Sequence, residues 1–157
     1  MNAADPNGLI VAVAQDDGLA KSSDKLVMVV DDDEGIRALL AFVAGKEGFR
    51  VETAVDGEEA LSKIQALLPD IILLDLMLPR YGGFEVLRQL QNGETAKIPI
   101  IIITGRYTDR TTAEMIRQES NVMDFIEKPL KPPVLAMTLH KILKTRPPNS
   151  NGAAGAR

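Results

Sequence analysis

Five residues in this 157-residue chain have side chains suited to phosphoryl chemistry, and they stand in four groups that each follow an apolar run. Asp31 and Asp32 follow Leu26-Val27-Met28-Val29-Val30, and Asp75 follows Ile71-Ile72-Leu73-Leu74. Thr104 follows Ile100-Ile101-Ile102-Ile103, and Lys128, with Pro129, follows Phe125-Ile126-Glu127. Unit charges about 4 Å apart repel by about 4 kcal/mol at an effective dielectric near 20, so clustered carboxylates need a cation, a raised pKa or distance. A hard divalent ion meets that need, and Mg²⁺ suits a site of few carboxylates completed by water and phosphate. Asp75, at the end of the third run, is the candidate nucleophile, because carboxylates do form aspartyl phosphates. Charge developing on the phosphoryl oxygens would be met by the metal, the Lys128 ammonium and the Thr104 hydroxyl.

Taken singly, each signal has an ordinary reading. An Asp-Asp before a helix is usually a cap, a Thr at a strand end is usually structural, and Lys-Pro is usually a loop. Asp33 and Glu34 also fit the cap and dipole of the first helix. What gives the set meaning is the order of the elements that carry it. Leu26-Val30, Arg50-Ala54, Ile71-Asp75, Ile98-Thr104 and Asp124-Glu127 read as strands. Helical spacing is present over Glu34-Lys46, Gly57-Leu68, Gly83-Gln91, Thr108-Glu119 and Pro132-Lys144, with Pro69 as a stop and Pro132-Pro133 as a first turn. Ala113, Met115 and Ile116 form a weak apolar face on the fourth of these. Five βα units predict an α/β fold with one parallel sheet and helices on both faces. The flavodoxin-like (βα)5 three-layer sandwich, with strand order 2-1-3-4-5, is the natural choice by analogy with known sheets of this kind rather than a derivation. Ligands of such sheets bind at the C-terminal strand ends, at the switch point, where Asp31, Asp32 and Asp75 emerge.

Composition narrows the function classes. The hydrophobic fraction of 45% is globular, and the net charge of −4 with no Lys/Arg cluster argues against non-specific nucleic-acid binding. Cysteine is absent, which excludes disulfides and thiolate metal sites and fits a reducing compartment. No apolar stretch approaches a membrane span, and the run Leu9-Ala14 lacks the basic flank of a signal peptide, so the expected location is cytoplasmic, with no membrane partner. Residues 1–24 and 146–157 are expected to be flexible tails around a domain at 25–145. Leu9-Gly18 echoes Leu26-Gly35, either by chance or as an extra strand for a sheet edge or a second molecule. The one histidine, His140, is expected at a solvated helix position.

The motifs VVDDDEGIRALL, GFRVETAVDGEEAL, PDIILLDLMLP, GGFEVL, IPIIIITG and DFIEKPL resemble the receiver domain of two-component response regulators, over roughly Lys25 to Lys144. The resemblance implies a stand-alone signalling phospho-acceptor rather than an enzyme, phosphorylated on Asp75 by a histidine kinase or histidine phosphotransfer protein. It implies Mg²⁺ held by Asp31, Asp32, Asp75 and the backbone carbonyl of Met77, with Thr104 and Lys128 on the phosphoryl oxygens. It makes Phe125 the switch aromatic, read by an effector, or by a second copy in a homodimer, through helix 4, strand 5 and helix 5. The Lys128-Pro129 bond is often cis in similar domains. Met77 and Arg106 stand at the positions that flank the attacking water, which suggests slow autodephosphorylation.

Three departures stand out: Arg80-Tyr81-Gly82 in a partner-facing loop, Asn121-Val122 in place of a common Gly-Ala with Asn121 suited to a left-handed turn, and Phe125 without a hydroxyl. An unphosphorylated interaction module of the same fold is the alternative, opposed by the complete set of Asp31, Asp32, Asp75, Thr104 and Lys128. A haloacid-dehalogenase-type hydrolase would need an Asp where Met77 stands. A flavodoxin-like cofactor carrier would need a less acidic first loop.

Overall fold

The computed structural model describes residues 17–105 and 109–148. The apolar runs form five strands, β1 (Leu26–Val30), β2 (Arg50–Ala54), β3 (Ile71–Asp75), β4 (Ile100–Thr104) and β5 (Val122–Glu127). They form one sheet of order β2-β1-β3-β4-β5, every neighbouring pair parallel. The helices are α1 (Glu34–Lys46), α2 (Gly57–Leu67), α3 (Gly83–Gln89), α4 (Arg110–Arg117) and α5 (Pro132–Leu143). This is the expected flavodoxin-like three-layer sandwich. Two short 3-10 turns, Ser22–Asp24 and Gly93–Lys97, had no clear signal in the sequence.

Three strands are apolar at nearly every position because both faces are covered. On one face Val27, Val29, Ile71, Leu73, Ile101 and Ile103 meet Leu40 and Val43 of α1 and Leu135 and Leu139 of α5. On the other, Met28, Val30, Ile72, Leu74, Ile100 and Ile102 meet Ala60 and Ile64 of α2, Val86 and Leu87 of α3, and Ile116 of α4. Asp33 caps α1 by accepting from the Ile36 N–H at 3.0 Å, and Asp56 caps α2 by accepting from Glu59 at 2.8 Å. Helix α2 ends where Leu68 turns left-handed, just before Pro69.

One irregularity has consequences for function. The β4–β5 register shifts between Ile100 and Ile101, so that Val122 faces Ile100 but Asp124 faces Ile101 and Phe125 faces Ile102. The extra residue, Met123, is left exposed. Because strand side chains alternate, the shift exchanges the faces of all that follow. It turns Phe125 onto the α4 face of the sheet and Ile126 onto the α5 face.

Several sequence expectations need correction. His140 is buried, not solvated: its Nδ1 lies 2.7 Å from Thr145 Oγ1 and its Nε2 2.8 Å from Glu47 Oε1, with its ring against Phe49. It follows the α5 stripe by one residue and points where the α1 C-terminus and the chain end converge. Asn121 makes no left-handed turn, since it is absent from the positive-φ residues. It is buried instead, donating to Ile98 O and accepting from Gln91 Nε2. Met115 faces outward, leaving Ile116 as the buried residue of α4. Residues 17–24 are fastened rather than loose. Ala20 pairs with Lys144 and Arg146 through the backbone, and Asp17 takes a two-pronged ion pair from Arg146 at 3.0 and 2.9 Å. The Arg146 guanidinium, with the Leu19 N–H, holds the Asp17 carboxyl down at about 2. The Leu9-Gly18 echo lies mostly outside the described residues.

Two glycines locate the β3–α3 connection. A Cβ on Gly83 would come within 2.5 Å of Asp75 O and Leu76 Cα, and one on Gly57 within 1.9 Å of Tyr81 O. Neither neighbour can move without shifting backbone. Gly83→Ala is therefore expected to cost on the order of 1–3 kcal/mol, the range for overpacking. A lower urea midpoint at unchanged m-value would show it, whereas an unchanged midpoint would mean that the loop yields freely.

Candidate functional site

The C-terminal ends of β1, β3 and β4 come together at the switch point of the sheet, and the β5–α5 loop reaches over them. Asp31, one residue past β1, is fully buried, and its N–H donates to Ala54 O at 3.2 Å. Its Oδ1 accepts from the Asp33 N–H at 2.9 Å, an Asx turn that orients the carboxylate while the chain turns into α1. Asp32 is exposed at the rim. Asp75 ends β3 at 3% exposure, its Oδ1 accepting from the Met77 N–H at 3.1 Å. Ligand oxygens of Asp31, Asp32 and Asp75 all lie within 4.8 Å of one another.

Lys128 supplies the opposing charge. Its Nζ stands 3.1 Å from Asp31 Oδ2 and 3.4 Å from Asp75 Oδ2. The approach to Asp31 is an ion pair without hydrogen-bond alignment, so this buried oxygen has no hydrogen-bond partner. Burial, reinforced by the Asp75 carboxylate, pushes the Asp31 carboxyl above its usual value despite the Asp33 N–H and Lys128. Burial also opposes the Lys128 charge, but the two carboxylates outweigh it and raise its pKa. Lys128 is aimed by its backbone, whose N–H donates to Thr104 O at 2.7 Å. The Lys128-Pro129 bond is cis.

The sequence-predicted residues thus fall into groups. Asp31, Asp32, Asp75 and Lys128 form one constellation, and buried Thr104 ends β4 beside it. Met77 is 73% exposed at the rim. Phe125 is half-buried on β5, away from the carboxylates, with the Arg117 guanidinium carbon 4.9 Å from its ring centroid. Arg106 lies outside the described residues.

The loop Arg80-Tyr81-Gly82 is tied to the α2 N-terminus, Arg80 lying 3.6 Å from Asp56, while Tyr81 remains exposed. Both Arg80 and Tyr81 have positive φ, an uncommon conformation for such residues. Two contributors escaped the sequence reading. Arg37 donates to the carbonyls of Asp31 and Asp32 at 3.0 and 3.4 Å, holding the acidic turn from one helical turn ahead. Arg117 contacts Phe125 across the register shift, which no sequence spacing signals.

The donor set fits a divalent cation. It is all hard oxygen, it carries more negative charge than Lys128 cancels, and it includes a buried Asp31 oxygen that has the Lys128 ion pair but no hydrogen bond.

Comparison with known proteins decides the family. Residues 27–140 match the response regulator receiver domain model. The chain belongs to the receiver-domain family of response regulators. The receiver is 36% identical over 121 residues to the alkaline phosphatase synthesis transcriptional regulatory protein PhoP of Bacillus subtilis, covering 77% of this chain and 49% of PhoP. It is 37% identical over 118 residues to the DNA-binding response regulator MtrA of Mycobacterium tuberculosis, covering 75% and 50% respectively. The chain thus spans about half the length of the curated relatives it matches. The expectation of no nucleic-acid partner sits poorly with a relative named for DNA binding.

Among solved structures, the receiver domain of NtrX from Brucella abortus aligns with a TM-score of 0.69 at 31% identity, covering 76% of this chain and 99% of that one. The chemotaxis protein CheY4 of Vibrio cholerae aligns with a TM-score of 0.69 at 29% identity, covering 76% and 98%. No helix among the described residues is long and apolar enough to cross a membrane.

The raised Asp31 carboxyl has a consequence for stability. A carboxyl raised in the fold contributes stability below its unfolded value and loses it as pH climbs through the folded value. At neutral pH the ionised Asp31 is therefore a net cost. Asp31→Asn is expected to stabilise the metal-free receiver at pH 7, because it removes the charge that burial and the Asp75 carboxylate oppose. The same variant should lose most of the stabilisation that millimolar Mg²⁺ gives the wild type, measured by chemical denaturation with and without the ion. Equal Mg²⁺ stabilisation of both proteins would exclude Asp31 as a ligand.

Proposed function

We propose that this receiver accepts a phosphoryl group on Asp75 from a histidine kinase or histidine phosphotransfer protein, in a phosphorelay that uses Mg²⁺. The observation that carries the reading is the convergence of three carboxylates within 4.8 Å, with Lys128 on the two buried ones. Asp31, Asp32, Asp75 and the Met77 carbonyl are the proposed holders of Mg²⁺. Once bound, the ion neutralises charge on the phosphoryl oxygens.

An Asp75 carboxylate oxygen attacks phosphorus. The P–O bond forms as the P–N bond of the phosphohistidine breaks, and the departing imidazole takes the electron pair and later a proton. Lys128 keeps its charge throughout and moves its attraction from the bare carboxylate toward the phosphoryl oxygens. The Thr104 hydroxyl turns toward the same group. No step asks the protein to act on an external substrate repeatedly, so the receiver is a signalling phospho-acceptor rather than an enzyme.

The proposed output is a change in the face formed by α4, β5 and α5, with Phe125 as its moving part. That face exposes Met115, Met123, Val134 and Met137, flexible apolar side chains suited to an effector or a second copy of the chain. A cytoplasmic location belongs to the same proposal and rests on the cysteine-free composition.

Exposure to beryllofluoride or acetyl phosphate, with and without Mg²⁺, tests the reading. Wild type is expected to show Mg²⁺-dependent shifts in NMR spectra, and with acetyl phosphate the added mass of one phosphoryl group. Asp75→Asn should show neither. Identical spectra under all conditions would leave only an unphosphorylated interaction module.

Met77 and Arg106 are proposed to shield the acyl phosphate from water, the first as an exposed apolar side chain beside it. Slow phosphate release is the expected result, with faster release from Met77→Asn. Decay within seconds, or equal rates in the two proteins, would refute this shielding.

A further inference from the structure

The Arg117–Phe125 contact, like the hold of Arg37 on the acidic turn, has no signal in the sequence motifs. Arg117 sits in the last turn of α4, its guanidinium carbon 4.9 Å from the Phe125 ring centroid. An arginine over an aromatic face is attracted by the ring quadrupole. Arg117 has no ion pair among the described residues, and the nearby Glu114 is engaged by Arg110 at 3.2 Å. The guanidinium is thus committed to the ring rather than borrowed from a carboxylate.

Helix α4 is lightly anchored, since Ile116 is its one buried side chain among the described residues. The contact therefore adds to Ile116 and to the Val122 N–H bond with Glu119 O in fastening the α4 C-terminus to β5. It exists because the β4–β5 register shift carries Phe125 onto the α4 face. A ring leaving this position must give up the guanidinium or take the end of α4 with it.

We infer that Arg117 is a positioning residue for the switch aromatic, holding Phe125 in its resting place and setting the threshold at which the Asp75 site turns the ring. The inference rests on the phospho-acceptor reading above. The contact holds the ring where it lies, half-buried on β5 under the Arg117 guanidinium, and any displacement of the ring breaks it, so removing the contact lowers the cost of that displacement. The contact differs from hydrogen bonding by a phenol hydroxyl, which Phe125 cannot supply.

The test is a beryllofluoride titration at fixed Mg²⁺ on the full chain, followed by amide NMR of β4 and β5. Wild type, Arg117→Met, Arg117→Lys, Phe125→Leu and the Arg117→Met/Phe125→Leu double variant are compared. Arg117→Met keeps apolar cover without charge, and its half-saturation point is expected to fall about two- to fivefold, the range for an exposed cation–π contact. Arg117→Lys should lie between it and wild type, and in the Phe125→Leu background Arg117→Met should change nothing.

A purely structural role would lower thermal stability without moving the half-saturation point. That result overturns the inference, as does an equal shift in the Phe125→Leu background. A wild type that gives no Mg²⁺-dependent response overturns the phospho-acceptor reading and this inference with it. A responsive wild type matched by Arg117→Met removes Arg117 alone.

Discussion

The Lys128 ammonium between the buried carboxylates of Asp31 and Asp75 is the interaction on which the architecture of this receiver turns. Burying two carboxylates side by side at 0% and 3% exposure is costly, and a cation between them offsets part of that cost. Lys128 supplies one, but from far along the chain and from the loop after an edge strand. Its reach depends on β4 lying between β3 and β5 and on the Thr104 carbonyl that receives its N–H. The compensation is incomplete, because Asp31 Oδ2 lacks a hydrogen bond and burial still raises that carboxyl. An under-satisfied site of this kind favours whatever brings more positive charge, which is how a stability cost becomes an affinity for a divalent ion.

The opposite end of the sheet is arranged in the contrary way. Both nitrogens of His140 are matched, one to Thr145 and one to Glu47, and the His140 ring lies against Phe49. The segments at 17–20 and 144–146 pair through their backbones, and Asp17 and Arg146 lock them. Polar groups with complete partners gain little from any ligand, so this end is a fixed base. The proposed response would fall at the other end, on the strand ends that carry Asp75, Thr104 and Lys128 and on the weakly anchored α4 beyond them. Gly57 and Gly83 reinforce that division by letting the loop after Asp75 rest directly on backbone.

Much of this was readable before any coordinates. The five strands and their helices followed from apolar runs and helix spacing, because a parallel sheet covered on both faces requires continuous hydrophobicity, whereas the 2-1-3-4-5 order rested on analogy with other sheets of this kind. Asp31, Asp32, Asp75 and Lys128 were legible as a group because each follows directly on its run, and parallel strands bring such ends together. The reading failed where a residue's surroundings come from distant segments. His140 looked solvated beside the α5 stripe, yet Glu47 lies 93 residues away in the chain. Asn121 looked like a turn residue, yet Ile98 and Gln91 make it a buried bracket.

What the sequence determined by itself is the set of elements and the chemistry at their ends, since both depend on local pattern and residue type. Tertiary structure alone decided which carboxylate oxygen is left without a hydrogen bond, how far Lys128 reaches, and that Arg37 holds the acidic turn. It also decided the register of β5. Met123 is the one extra residue that moves Phe125 from one face of the sheet to the other and beneath Arg117. Alternation has a period of two, so a single inserted residue reverses every side chain after it, and only the paired strand reveals where the insertion falls.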